Sequence, residues 1–234
     1  MMSTESAPAT IALIPDGNRR WARAHRMSIF DGYNLGVNKF IEFSEWCKNY
    51  GVNSVTVWAL SSENLSRPRE EVNTLFSIYK KVANDKKILE RLHKNKTRVR
   101  IIANRDIMPK DLIASLHKIE AETSRYGERV INMLLGYGGK DDILHAAKKA
   151  AINFKRKGGE HFEKIFEQSL LSYNIPNIDL IIRTSGEQRL SGFMPWQSAY
   201  SELYFSKKLW PDFTKDDLRL AINDYGKRQR RFGR

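Results

Sequence analysis

Ile11-Ala12-Leu13-Ile14-Pro15-Asp16-Gly17-Asn18-Arg19-Arg20-Trp21 is the stretch on which the fold turns. Four consecutive apolar residues without polar alternation predict a short strand covered on both faces, as in a parallel sheet. Pro15 ends the strand, Asp16-Gly17-Asn18 makes a tight turn, and an arginine-rich helix follows. Outward from this stretch, short apolar runs keep alternating with longer helical patterns. Strands are predicted at 11–14, 54–60, 99–103, 130–135, 180–183 and 202–205, and helices at 33–50, 69–93, 110–126, 141–157 and 214–229. This alternation predicts an α/β fold built on a mostly parallel sheet flanked by helices. Residues 1–9 are expected to be a flexible N-terminus and 10–234 to form one domain, with Gly158-Gly159 in a surface loop between helices. Ligands of such sheets sit beyond the carboxyl ends of the strands, so the segments that follow strands matter most.

A chain of 234 residues can bury roughly 70% of its unfolded surface, so it needs no covalent staples. Cys47 is the only cysteine, which excludes an intramolecular disulfide and a Cys-rich zinc site. The opening MMSTESAPAT lacks a basic-then-apolar leader, and no apolar run approaches the ~18 residues of a membrane span. A reducing, cytoplasmic compartment is the expectation. Forty Lys+Arg against 27 Asp+Glu give a net charge of +13. Such a field attracts polyanions: nucleic acid, an anionic membrane surface or phosphorylated small molecules. Composition does not choose among them, but the placement of the arginines does.

Three polar segments follow three strands. In the first, Arg19, Arg20 and Arg23 add formal charge to a helix N-terminus, which suits a phosphate. Asp16 stands where a carboxylate could hold Mg²⁺ against that phosphate, although Asp is also an ordinary helix N-cap. The segment is neither a dinucleotide fingerprint nor a P-loop, having one glycine and no Gly-Lys-Ser/Thr. In the second, Ser61-Ser62-Glu63-Asn64-Leu65-Ser66-Arg67-Pro68 offers hydroxyls, a carboxylate, an amide and a guanidinium, which is also common loop chemistry. In the third, Arg183-Thr184-Ser185-Gly186-Glu187-Gln188-Arg189-Leu190-Ser191 places two arginines and a serine to cradle a diphosphate, with Glu187 and Glu202 balancing charge or binding metal. Three such segments in a basic chain read as a site for two polyphosphate groups and a divalent cation. The C-terminal KRQRRFGR carries five positive charges in eight residues and reads equally as a solvated tail.

These residues resemble the cis-prenyltransferases, the undecaprenyl diphosphate synthase family. The resemblance runs from Ile11 to Gly233. It rests on Asp16-Gly17-Asn18-x-Arg20-Trp21, Ser61-x-Glu63-Asn64-x-x-Arg67-Pro68, Tyr137-Gly138-Gly139 and Arg183-Thr184-Ser185-Gly186-Glu187-x-Arg189-x-Ser191. Trp196-Gln197-x-Ala199-Tyr200-x-Glu202, Leu209-Trp210-Pro211-Asp212-Phe213 and the Arg231-Phe232-Gly233 tail extend it. It implies a single α/β domain with a central six-stranded, mostly parallel sheet and an apolar tunnel for a prenyl chain. It also implies a homodimer and Mg²⁺-dependent condensation of an allylic diphosphate with isopentenyl diphosphate.

Carried over by position, Asp16 would position Mg²⁺, with Glu202 helping at the metal. Gly17, Asn18, Arg19 and Arg20 would hold the allylic diphosphate, with Trp21 and Tyr33 beside them. Arg183, Arg189, Leu190 and Ser191 would hold isopentenyl diphosphate. Arg231 and Gly233 would close over that second site from the partner subunit. Asn64, with Ser61, would stand near the proton lost from the homoallylic carbon, and Ser62, Glu63 and Arg67 would complete the substrate contacts. The resemblance places the prenyl chain against apolar residues such as Leu75, Phe76, Ile78 and those of 133–135, which also read as ordinary core.

The sequence departs from the family pattern at several positions. Tyr33 replaces a common His, Ile29 a common Arg, Leu65 an aromatic, and Gly192 and Gly136 each an Asn. These changes gather around the allylic diphosphate and the reacting carbons. Some atypical members resembling this pattern join prenyl units head-to-middle, with an allylic diphosphate such as dimethylallyl diphosphate also serving as acceptor. Two further readings are a non-catalytic accessory subunit and a basic nucleic-acid-binding protein. The retained Asp16, Asn64, Arg183, Arg189 and Glu202 oppose the first. Against the second, the arginines converge on strand ends and no aromatic-interleaved RNA motif is present. No long insertion in 69–93 points to a short or medium product, and an oily product suggests transient membrane contact.

Overall fold

The computed structural model describes residues 7–156 and 161–228. Its strands are β1 (Thr10–Ile14), β2 (Ser54–Ser61), β3 (Thr97–Ala103), β4 (Arg129–Tyr137), β5 (Leu180–Arg183) and β6 (Glu202–Phe205). They form one six-stranded sheet in the order β3-β4-β2-β1-β5-β6. All five pairings are parallel. The expected surface loop Gly158-Gly159 and most of the expected N-terminal tail fall outside the described residues.

β1 lies inside the sheet, with Leu13 opposite Val57 of β2 on one side and Ile182 of β5 on the other. Its alternate residues serve two cores, which is why none of 11–14 is polar. Ile11 and Leu13 pack with Phe43, Cys47, Trp210, Phe213 and Leu218. Ala12 and Ile14 face the opposite side, with Ile181, Phe193 and Met194.

The helices are α1 (Asn18–Ala24), α2 (Ile29–Asn49), α3 (Arg69–Ala83), α4 (Lys86–Lys94), α5 (Lys110–Thr123), α6 (Gly139–Arg156), α7 (Phe162–Ser169) and α8 (Lys215–Lys227). The single helix expected over 69–93 is two, because Asp85 caps a new start by accepting from the Lys87 and Ile88 amides. α2 begins four residues earlier than expected, where Ser28 Oγ accepts from the Asp31 amide. α1 and α2 approach closely: a Cβ on Gly32 would lie 2.9 Å from the Asn18 carbonyl oxygen and 2.8 Å from Ala22 Cβ, and one on Gly36 would displace the Asn18 side chain. The buried Trp210 indole donates to the Gly36 carbonyl at 2.8 Å and locks this crossing.

On β2 the register shifts between Trp58 and Ser61, and on β4 Gly136 takes φ +57° beside it. Such irregularities re-aim side chains at the end of a strand, and here they lie immediately before Ser61 and Tyr137. In this connectivity the chain leaves β1 toward β2 and leaves β5 toward β6, so the paths diverge at the β1/β5 boundary. A crevice opens at such a switch point beyond the strand ends.

α8 starts with a capping box in which Thr214 and Asp217 exchange backbone hydrogen bonds. Burial opposes ionisation of Asp217, but hydrogen bonds from Lys208 and Thr214 outweigh it and hold the carboxyl below its ordinary value. Replacing Thr214 by Ala is expected to cost about 1 kcal/mol in urea unfolding at neutral pH. A depressed folded-state pKa stabilises above the unfolded value and is lost in acid, so the Asp217 contribution should fade below about pH 4.

Candidate active site

The crevice beyond β1 and β5 is held by Asp16 and Arg183. Ile14 and Arg183 are register partners at the ends of neighbouring strands, which puts the loop after β1 against the guanidinium. Arg183 is buried and donates from Nη2 to Asp16 Oδ2 at 3.0 Å. Its Nη1 donates to Ser191 Oγ at 3.1 Å and to the Arg189 carbonyl. Its Nε is buried without a partner. The Thr184 hydroxyl donates to the Asp16 carbonyl at 2.7 Å, and the Trp210 amide donates to the same oxygen at 3.0 Å. Gly17 permits this turn: its φ is +110°, and a Cβ there would meet Leu209 Cδ2 at 2.9 Å.

Asp16 is not a helix cap. Gly17 occupies the N-cap position of α1 and no side chain caps that end. The Asp16 carboxylate instead faces guanidinium groups, with Arg20 Nη2 3.7 Å from Oδ1. Arg20 Nη1 also approaches Glu187 Oε1 at 3.7 Å, and Glu187 pairs with Arg189 at 2.5 Å. The first and third segments are therefore one cluster, linked through Arg20.

A second network holds the start of α2 against α3. Arg67 Nη1 donates to the Tyr33 hydroxyl at 2.7 Å, and Tyr33 in turn donates to Glu71 Oε1 at 2.9 Å. The same Glu71 oxygen accepts from Arg67 at 3.1 Å and lies 3.5 Å from Arg19 Nη1. Burial pushes the Tyr33 phenol up; Arg67 opposes the shift and Glu71 adds to it. Tyr33 thus gives its one proton to Glu71. Glu71 itself is a site residue that sequence reading missed. Its four-residue offset from Arg67 was the available signal.

Between α2–α5 and the sheet lies a cavity of about 680 Å³. Its mouth is lined by Asp16, Gly17, Asn18, Arg19, Arg20, Arg23, Ser61, Glu63, Asn64, Arg67, Arg183 and Ser191. Its walls are apolar: Val37, Phe40 and Ile41 of α2, Leu75, Tyr79 and Val82 of α3, and Val57, Val99, Ile131 and Met133 of the sheet. Of the apolar residues singled out in the sequence, Leu75 and Met133 line it, while Ile78 is buried core.

Most of the expected site residues meet at this mouth. Asn64 is fixed by its own loop, its amide donating to Ser61 Oγ at 3.1 Å and its Oδ1 accepting from the Ser61 amide at 3.4 Å. Trp21 does not line the cavity; its indole donates to Asp212 at 2.6 Å and its ring stacks on His25. Leu190 packs into the core around Phe193, and the Ser62 amide donates to the Tyr137 carbonyl. Glu202 opens β6 opposite Leu180, at the other end of the strand from Arg183, and pairs with Arg228 at 2.6 Å. The structure does not bring it to Asp16 within one chain. Arg231 and Gly233 lie outside the described residues.

Among the described residues no group of three His, Cys, Asp or Glu side chains is placed to hold a metal ion. Mg²⁺, however, commonly binds through one or two carboxylates plus substrate phosphates and water. The Asp16 side chain, one-third exposed at 33% and facing guanidinium groups, fits that pattern.

Residues 14–233 match the family model of undecaprenyl diphosphate synthase. The chain belongs to the undecaprenyl diphosphate synthase family. As a member of this family it is a prenyltransferase acting on isoprenoid diphosphates. It is 40% identical to an isoprenyl transferase of Thermus thermophilus, across 97% of this chain and 89% of that protein. It is 42% identical, across 97% of this chain and 89% of the other, to a Thermoplasma acidophilum protein named tritrans,polycis-undecaprenyl-diphosphate synthase (geranylgeranyl-diphosphate specific). Among solved structures, lavandulyl diphosphate synthase from Lavandula x intermedia in complex with dimethylallyl diphosphate superposes with a TM-score of 0.92. That pair is 32% identical and covers 98% of this chain and 100% of the other.

Of the departures named above, Leu65 and Gly136 are neighbours in space. A Cβ on Gly136 would lie 3.5 Å from Leu65 Cδ1 and 3.0 Å from Met108 Cε. Glu71→Ala would leave Arg67, Arg19 and Tyr33 without their shared acceptor, at an expected cost of about 3 kcal/mol. Tyr33→Phe removes one hydrogen-bonded hydroxyl and should cost about 1 kcal/mol. Denaturant unfolding of both variants checks this order.

Proposed function

We propose that this chain condenses an allylic prenyl diphosphate with isopentenyl diphosphate in a cis, head-to-tail, Mg²⁺-dependent reaction that releases diphosphate. The observation that carries this reading is the continuity of an arginine-rich, Asp16-centred mouth with an apolar cavity. The two ends suit the charged and hydrocarbon parts of one substrate. The allylic diphosphate lies against Gly17, Asn18, Arg19 and Arg20, with its chain in the cavity. Isopentenyl diphosphate lies against Arg183, Arg189 and Ser191.

Breaking the allylic C1–O bond moves an electron pair onto the leaving diphosphate, and fixed guanidinium donors stabilise that charge as it develops. Asp16 would hold Mg²⁺ here, and the ion would supply electrophilic stabilisation of the leaving group. The terminal carbon of isopentenyl diphosphate bonds to C1, leaving a tertiary cation. A proton then leaves the adjacent homoallylic carbon, beside Asn64 and Ser61, for an oxygen of the released diphosphate, and its bonding pair forms the new double bond. The apolar walls keep water from the cation. We take the working unit to be a homodimer, in which Arg231 and Gly233 of a second copy close over the isopentenyl diphosphate. The charge placement gives nucleic acid no part in this reading. No described helix is long and apolar enough to cross a membrane, and contact with a membrane surface during product release remains part of the proposal.

A second reading is head-to-middle condensation in which an allylic diphosphate is also the acceptor. The Tyr33–Glu71 bond and the Leu65–Gly136 contact favour it, because they alter the first diphosphate site and the turn beside the reacting carbons. The test is a product assay with Mg²⁺ and dimethylallyl or geranylgeranyl diphosphate, with and without isopentenyl diphosphate. Product that requires isopentenyl diphosphate and carries a new Z double bond is the expected result; product from allylic diphosphates alone would select the second reading. Asp16→Ala is expected to lower kcat by at least 10²-fold in a chain that still folds but is less stable, because Arg183 loses its carboxylate partner. Arg189→Ala should chiefly raise KM for the acceptor, so an unchanged KM would displace that assignment.

A further inference from the structure

Tyr33 stands where the cavity wall turns from charged to apolar. Its hydroxyl meets Arg67 and Glu71. One turn further along α2, Val37 lines the cavity, and both residues pack against the core cluster that holds Leu60 and Leu75. Where the family pattern commonly has a histidine, this chain has a group with a single proton and no positive charge to offer.

The hydroxyl is fully committed inside the protein. Burial raises the phenol, so it stays protonated; Arg67 opposes the shift and Glu71 reinforces it. The proton goes to Glu71 Oε1 at 2.9 Å, and the same oxygen atom of Tyr33 accepts from Arg67 Nη1 at 2.7 Å. No donor is left for a phosphate oxygen. A direct grip on a diphosphate is therefore not the role that this geometry gives to Tyr33.

The role open to it runs through its partners. Glu71 Oε1 also receives Arg67 Nη1 at 3.1 Å and lies 3.5 Å from Arg19 Nη1. Its side chain is only 7% exposed, so protein donors, not water, must satisfy the charge. Tyr33 supplies one such donor from a neutral group. Arg67 lines the mouth, and among the described residues its hydrogen bonds to Tyr33 and Glu71 both use Nη1.

We propose that Tyr33 is a positioning residue for the allylic diphosphate, acting through Arg67. Its hydroxyl holds Nη1 and shares the charge of Glu71, which leaves the rest of the guanidinium to the mouth. Without that hydroxyl Glu71 has only the two arginines, and Arg67 closes onto it and away from the substrate. The inference rests on the allylic diphosphate binding at this mouth and holds for either acceptor.

A double-mutant cycle tests it, because coupling within a hydrogen-bonded network is apportioned cleanly only in that way. Binding of farnesyl thiodiphosphate with Mg²⁺ is measured by calorimetry for the wild type, Tyr33→Phe, Arg67→Ala and the double variant. In Arg67→Ala the buried carboxylate keeps Tyr33 and Arg19 as partners. Tyr33→Phe should weaken binding about 10-fold. The double variant should bind no more than about twofold worse than Arg67→Ala. In turnover, Tyr33→Phe should raise KM for the allylic substrate by a similar factor and leave KM for the acceptor unchanged, a split that a general loss of stability does not produce.

A 10-fold loss that persists in the Arg67→Ala background means that the hydroxyl acts without Arg67, and overturns the proposal. Unchanged binding by Tyr33→Phe does the same. A wild type that binds no farnesyl thiodiphosphate overturns the proposal together with the reading beneath it. A crystal structure of Tyr33→Phe needs no arginine variant: Arg67 should lie closer to Glu71 there, and an unmoved guanidinium overturns the proposal.

Discussion

The contact between Asp16 and Arg183 is the constraint on which the rest of the site depends. β1 and β5 are adjacent and in register, so the loops that leave them begin within reach of one another. A buried arginine at the end of β5 needs an acceptor, and the turn after β1 supplies a carboxylate and, through Thr184, a second tie to its carbonyl. Removing one partner of such a pair strands the other charge, which costs more than the pair gains. The geometry of the two loops is thereby fixed before any substrate arrives, and donors that are already in place stabilise developing charge without reorganisation. Arg20 then joins Asp16 to Glu187, and the loops act as one surface.

The cavity follows from the same topology. Parallel strands expose apolar faces on both sides, and α2–α5 cover one of them without filling it. Gly32 and Gly36 let α2 cross close to α1, and the Trp210–Gly36 bond holds the helix at its mouth end. The Arg91–Glu45 pair holds the far end. One side of the sheet therefore carries a charged entrance, an apolar length and a polar end in sequence. The opposite side, around Phe193 and Met194, is filled with side chains.

Much of this was legible in the sequence, for identifiable reasons. Leu180–Arg183 and Glu202–Phe205 were located to the residue because strands in a parallel sheet read as uninterrupted apolar or bulky runs. The break between α3 and α4 was not, because the apolar periodicity continues through Asn84-Asp85 and only the cap marks the boundary. The charged mouth was legible because its residues sit in short segments after strands. Glu71 was not: an acidic residue in the first turn of a helix ordinarily complements the helix dipole, and its role depends on Tyr33 and Arg19 arriving from elsewhere in the chain. Trp21 and Leu190 show the converse. They belong to motif segments, yet their side chains pack away from the cavity.

In the proposed reaction one substrate spans this gradient, with its diphosphate at the Asp16 cluster and its hydrocarbon along α2 and α3. A crystal structure with Mg²⁺ and a non-ionising farnesyl thiodiphosphate tests it most directly. Density is expected for the diphosphate against Gly17–Arg20 and for the chain between Val37, Leu75 and Met133. A diphosphate bound elsewhere, or a chain lying on the surface with the cavity unchanged, would contradict it.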